Sequence, residues 1–169
     1  AVKVGNGLDE DMNMGPLVAE RRIEIMDGFV SDALSKGAEL LVGGSGIQSP
    51  GSFFAPTLLQ DVPDTARIMT EEPFGPIAPT ARFASLDEVI DRANSLPFGL
   101  AAYAFTGSAG TAGVLKREIE TGMLAINSLH VHSVETPFGG LKFSGYGHEG
   151  GIEGLEVFLA TRYSSEIYG

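Results

Sequence analysis

Helix-type and strand-type stretches alternate along this chain, separated by glycine or proline, and the alternation limits the folds open to it. Residues 19–35 set Ile23, Met26, Val30, Ala33 and Leu34 at helical spacing on one face. Glu20, Arg21, Arg22, Glu24, Asp27 and Asp32 fall elsewhere, as a solvated polar face, and Gly37 predicts the stop. Ala38-Glu39-Leu40-Leu41-Val42 then reads as a short strand, ended by Gly43-Gly44-Ser45-Gly46. Ser85 and Glu88 form a capping box ahead of Leu86, Val89, Ile90 and Ala93, which predicts a helix to Asn94 before Pro97 prevents continuation. Residues 100–105 read as a buried strand. A third helix starts near Ser108, with Ala112, Leu115 and Ile119 on one face and Gly122 as a left-handed end. Met123-Leu124-Ala125-Ile126-Asn127 is the next strand. Parallel neighbours need crossover connections, so the expected class is α/β, with a mainly parallel sheet flanked by helices.

The chain's 169 residues suffice for a hydrophobic core without disulfides or metal. Its 11 basic and 22 acidic residues give a net charge of −11, with no dense basic patch to gather the phosphates of nucleic acid or anionic lipid. Neither nucleic acid nor membrane is expected as a partner. No apolar run approaches the roughly 18 residues that cross a bilayer, and no secretory leader is visible, so the expectation is a soluble, cytoplasmic protein. There is no cysteine, which removes disulfides and thiolate metal sites.

Residues 128–151 carry little periodicity but much glycine, all three histidines and two phenylalanines, the pattern of a functional loop. His130 and His132 lack a carboxylate at matching spacing, so no metal site is expected. Gly145-Tyr146-Gly147-His148-Glu149-Gly150 matches a dinucleotide-binding glycine pattern, but no buried strand precedes it and no full-length helix follows. Residues 156–163 alternate through Val157, Leu159, Thr161 and Tyr163 and read as a terminal strand with an edge free to pair.

Two segments carry a specific resemblance: Glu71-Glu72-Pro73-Phe74-Gly75-Pro76, and Pro137-Phe138-Gly139-Gly140-Leu141-Lys142-Phe143-Ser144-Gly145. Together with Val4-Gly5-Asn6, Gly15-Pro16-Leu17, Phe98-Gly99-Leu100-Ala101 and the stretches 51–57 and 122–127, they make nearly the whole chain resemble the C-terminal part of NAD(P)-dependent aldehyde dehydrogenases. The resemblance implies that Glu72 accepts hydrogen bonds from the nicotinamide ribose and that Phe74 lies beside that ribose and ring. The chemistry suits both, since a carboxylate accepts two hydroxyl donors at once. Phe138 matches a phenylalanine walling the aldehyde pocket. Ser133-Val134-Glu135-Thr136 resembles the succinic-semialdehyde dehydrogenase group, which makes Ser133 a substrate-pocket residue able to meet a carboxylate.

The resemblance further implies NAD or NADP as cofactor, an aldehyde as substrate, and a homo-oligomer built through the tail. Residues 1–155 would be part of the catalytic domain and 156–169 an oligomerisation strand. The family's nucleophile is a cysteine, and no residue here replaces it, so the chain offers no catalytic residue of its own and is expected to be inactive alone. The nucleophile, its oxyanion-binding asparagine, the general-base glutamate and the cofactor domain would all lie before Ala1. Lys142 is expected to hold its loop by a salt bridge or carbonyl contacts rather than to act as a base. At His148 many relatives carry arginine, which bears on any ion pair there. The competing class is a non-enzymatic oligomerisation or interaction module, or a degenerate relative.

Overall fold

A computed structural model describes residues 2–169, in two units, Ala1–Arg82 and Phe83–Gly169. The first unit contains α1 (Arg21–Ser35), β1 (Glu39–Val42), β2 (Thr57–Gln60), a 3-10 turn (Arg67–Met69) and β3 (Ile77–Pro79). Helix α1 buries Met26, Phe29, Val30 and Ala33, the i, i+3, i+4, i+7 stripe of a helix covering a core. Leu34, expected on that face, is 38% exposed, and Phe29 packs in its place.

Gly37 ends α1 as expected, at φ +99°. Its N–H donates to Leu34 O (3.1 Å) and that of Ala38 to Ala33 O (3.0 Å), the paired bonds that close a helix through a left-handed glycine. Ala33 and Ala38 are both buried, so the cap also packs. Strand β2 turns Thr57 and Leu59 inward, where Leu59 joins Phe54, Val62, Ala66, Ile68 and Ile77 beneath α1.

The second unit contains α2 (Leu86–Asn94), β4 (Phe98–Gly99), β5 (Ala101–Ala104), α3 (Ala109–Glu118), β6 (Met123–Ile126), β7 (Leu141–Lys142) and α4 (Glu153–Glu156). Ser85 caps α2 by accepting from Glu88 N (3.2 Å), while the Glu88 carboxylate accepts from Ala84 N (2.8 Å), one residue before the usual partner. Ser108 caps α3 through Thr111 N (3.2 Å). Asn127, at φ +56°, prolongs the β5–β6 ladder with its side chain: Oδ1 accepts from Thr106 N (2.8 Å) and Nδ2 donates to Thr106 O (2.9 Å).

The α/β content agrees with the sequence, but the sheet is not the expected mainly parallel one. The described residues form three small sheets: β1-β2-β3, β4-β7 and β5-β6. The β2–β3 and β5–β6 pairs are parallel, whereas β1–β2 and β4–β7 are antiparallel. The reason is local: residues 43–56 return the chain to β1 without a crossover helix, and among the described residues only α3 supplies an α-helical crossover between paired strands. Strand β5 is half-exposed rather than buried, with Ala101 and Tyr103 outward.

Gly122 is not the left-handed end of α3, which stops at Ile119 in an extended conformation. It is glycine for closeness instead, because a Cβ there would overlap Gly139 O. At the tail, Glu156 closes α4 and residues 157–169 join no strand ladder among the described residues, where a strand had been expected. An extended segment needs an edge to satisfy its amides, and the tail instead makes local turns, Phe158 N to Leu155 O and Leu159 N to Glu156 O. Val157, Phe158, Leu159 and Tyr163 stay exposed. Among the described residues, no helix is long and apolar enough to cross a membrane.

Candidate functional site

In the first unit, Glu72 and Phe74 sit on the short connection between the 3-10 turn and β3. Arg67, opening that turn, forms a two-pronged pair with Glu71: Nε to Oε1 and Nη2 to Oε2, both 2.9 Å. The Arg67 guanidinium lies 5.1 Å over the Phe29 ring. Its backbone N–H donates to Asp32 Oδ2 (2.8 Å), and Lys36 pairs with the other oxygen of Asp32 at 2.8 Å. These contacts hold two carboxyls below their usual range: Asp32 chiefly through the hydrogen bond from Lys36, Glu71 chiefly through that from Arg67.

Beyond Glu71, Arg22 of α1 donates through Nη2 to Pro73 O. Gly75 follows with no room for a side chain, since a Cβ would overlap Met26 Sδ. The Pro76 carbonyl accepts from Thr57 N (2.8 Å), which starts the β2–β3 pairing. Between these ties Glu72 is exposed and makes no hydrogen bond or ion pair among the described residues. Phe74 holds φ +42°, unusual for a bulky side chain, and is 73% exposed. The segment thus offers an open carboxylate and an open ring on a pinned backbone. Two open depressions of about 360 Å³ each share Gly75 and Pro76, and neither is lined by Glu72 or Phe74.

In the second unit, Phe138 is half-buried and bridges Glu149 in both directions, N to O at 2.7 and 2.8 Å. The His132 ring meets the Phe138 ring edge-on at 5.5 Å. Glycines make the loop compact: a Cβ on Gly139 would sit 2.5 Å from Gly147 O and 2.7 Å from His148 Cδ2. Lys142 anchors the loop as expected, donating to Asn94 O (2.9 Å) and Leu96 O (3.0 Å) and pairing with Glu120 at 2.6 Å. Ser144 Oγ accepts from Gly99 N (2.9 Å) on the same side.

Ser133 is half-buried and engaged within its own turn: its N–H donates to Thr136 Oγ1 (3.0 Å) and its hydroxyl lies 3.3 Å from that oxygen. A hydrogen bond from the Ser133 side chain also lowers the Glu135 carboxyl. Among the described residues, no group of three metal-ligating side chains converges, His130 and His132 included. The sequence reading missed Arg22 and Arg67, having set Arg22 on a solvated face. The i, i+4 spacing of Arg67 and Glu71 was the available signal, whereas the reach of Arg22 to Pro73 is tertiary.

The sequence profile described as the aldehyde dehydrogenase family matches residues 1–163. The chain is 44% identical over 163 residues to 4-(hydroxymethyl)benzenesulfonate dehydrogenase TsaD1 of Comamonas testosteroni, covering 96% of this chain and 34% of that one. It is 39% identical over 160 residues to the NADP(+) succinate-semialdehyde dehydrogenase GabD of Escherichia coli (strain K12), covering 95% and 33%. A crystal structure of betaine aldehyde dehydrogenase from Staphylococcus aureus in complex with NAD+ superposes with a TM-score of 0.87 at 34% identity, covering 94% and 32%. The chain therefore spans about a third of the length of the relatives it matches.

Proposed function

Because the chain belongs to the aldehyde dehydrogenase family, we propose that the complete protein carrying it oxidises an aldehyde to a carboxylic acid with NAD or NADP. The observation that carries this reading is the pinned segment 71–76, which leaves one carboxylate and one aromatic ring open between fixed neighbours. The donor chemistry fits the cofactor. A ribose diol presents two hydroxyls that the Glu72 carboxylate accepts together, and the Phe74 ring gives the sugar and nicotinamide an apolar flank. The nicotinamide, when bound, supplies the hydride acceptor.

Phe138 walls the aldehyde pocket and keeps water from it, and Ser133 tunes the pocket for the aldehyde's far end. With no cysteine in residues 1–169, the nucleophile belongs to another part of the complete protein, and this chain alone turns nothing over. Residues 1–155 form part of the catalytic domain, and 156–169 extend and pair with a second copy in a homo-oligomer. The exposed apolar side chains of that tail support the pairing. The complete protein acts in the cytoplasm.

The test is Glu72→Gln in the complete protein, followed by aldehyde-dependent NAD(P)H formation. A lower kcat with the fold intact is expected. An unchanged kcat together with an unchanged KM for the dinucleotide removes Glu72 from the cofactor site.

A further inference from the structure

We infer that Arg22 and Arg67 are positioning residues for the Glu72 carboxylate, an inference that rests on the ribose role given to Glu72 above. Residue 72 lies between two tethered neighbours. Glu71 is held by both prongs of Arg67 at 2.9 Å, and the Pro73 carbonyl is held by Arg22. Both tethers lead to α1: Arg22 stands in its first turn, and the Arg67 backbone is fixed by Asp32 of its last turns.

The Arg67 guanidinium also lies 5.1 Å over the ring of Phe29, which is only 2% exposed, so leaving Glu71 would cost it the aromatic contact as well. Pro73 restricts Glu72 to extended backbone, and Gly75 is pressed on Met26. The backbone of the segment is therefore ordered when the protein folds, which leaves chiefly the Glu72 side chain to be ordered on cofactor binding. The two arginines differ in what they must supply. A carbonyl needs a single N–H, which lysine also offers, whereas the paired contact to Glu71 needs the guanidinium fork.

The experiment compares Glu72→Gln, Arg22→Met, Arg22→Lys, Arg67→Met and Arg67→Lys in the complete protein. Its readouts are NAD+ affinity by calorimetry, kcat and KM for cofactor and aldehyde, and amide hydrogen exchange of residues 71–76 without cofactor. Arg22→Met, Arg67→Met and Arg67→Lys should bind NAD+ roughly tenfold more weakly, the scale of a contact that must be ordered on binding. They should also speed exchange in the segment while moving the aldehyde KM little, and Arg22→Lys should restore both.

An unchanged NAD+ affinity in Glu72→Gln retires the ribose role itself. If Glu72→Gln weakens binding but Arg22→Met and Arg67→Met do not, the positioning role alone is overturned. It is overturned equally if either arginine variant costs as much on a Glu72→Gln background as on the parent, because its effect would then not run through Glu72.

Discussion

The Lys142 ammonium lies 2.6 Å from the Glu120 carboxylate while donating to the carbonyls of Asn94 and Leu96, so all three of its N–H donors are used. One side chain thereby joins the end of α2, the connection after α3 and the loop carrying Phe138. Asn94 reinforces the joint, its amide bonding Glu118 O (2.7 Å) and Glu120 N (2.9 Å). A cation over the last carbonyls of a helix also meets the negative end of its dipole.

Lys142→Met should destabilise the second unit by about 2 kcal/mol, because two carbonyls lose their donor. Glu120→Gln should cost less than about 1 kcal/mol, since the carboxylate is 56% exposed and water replaces its partner. Denaturant titration of the two variants checks the ordering, and equal losses would contradict it.

The close approach of Gly122 to Gly139 predicts a larger effect from a smaller change. Gly122→Ala places a methyl where Gly139 O stands, and two backbone segments must separate. A loss of about 3 kcal/mol is expected, with faster amide exchange in residues 137–149. Gly107→Ala, where nothing lies within 4 Å of the new methyl, is the matched control and should be near neutral.

Acid should loosen the first unit through Asp32 and Glu71. Both carboxyls titrate below their ordinary values of 3.8 and 4.5 when folded, so the chain binds fewer protons folded than unfolded. Their contribution is complete above those values and disappears as pH falls through the lower folded ones. Thermal unfolding followed downward from about pH 5 should show the loss. The double variant Asp32→Asn, Glu71→Gln should flatten that part of the profile.

Ser133 predicts a selectivity change. Its hydroxyl serves Glu135 and Thr136, so an anionic aldehyde reaching it must compete with an internal carboxylate. Ser133→Ala in the complete protein should raise KM several-fold for carboxylate-bearing aldehydes and leave neutral ones unchanged, a difference on the scale of one hydrogen bond. Carbon NMR should show the Glu135 carboxyl moving up toward its ordinary value. Equal changes for both aldehyde classes would remove Ser133 from the pocket.

What the sequence conveyed was mostly what short range determines. The stripe of Met26 and Val30, the Ser85 and Ser108 caps, the Gly37 stop and the bonding style of Lys142 were all readable, because each depends on residues a few positions apart or on one side chain's chemistry. The misreadings involve distant partners. Gly122 resembled a helix cap because nothing nearby discloses the carbonyl of Gly139 above it. Strand β3 has Pro79 at its end and only three residues, too few for a period to register, and its pairing is fixed from β2. The tail was read as a strand from its alternation, yet alternation specifies which face side chains take and supplies no edge to pair with. The roles expected of Glu72 and Phe138 came from motif likeness, and the structure added tethers on the residues either side of Glu72.

The outward placement of Tyr103 on β5 and of Tyr163 in the tail has a spectroscopic side. The chain has no tryptophan, and its other tyrosines, Tyr146 and Tyr168, are 97% and 83% exposed. Tyrosine emission from these residues therefore originates at exposed side chains. It would change little when the buried interior melts and strongly when another surface settles over the chromophores, which makes native phenol fluorescence a label-free gauge of assembly.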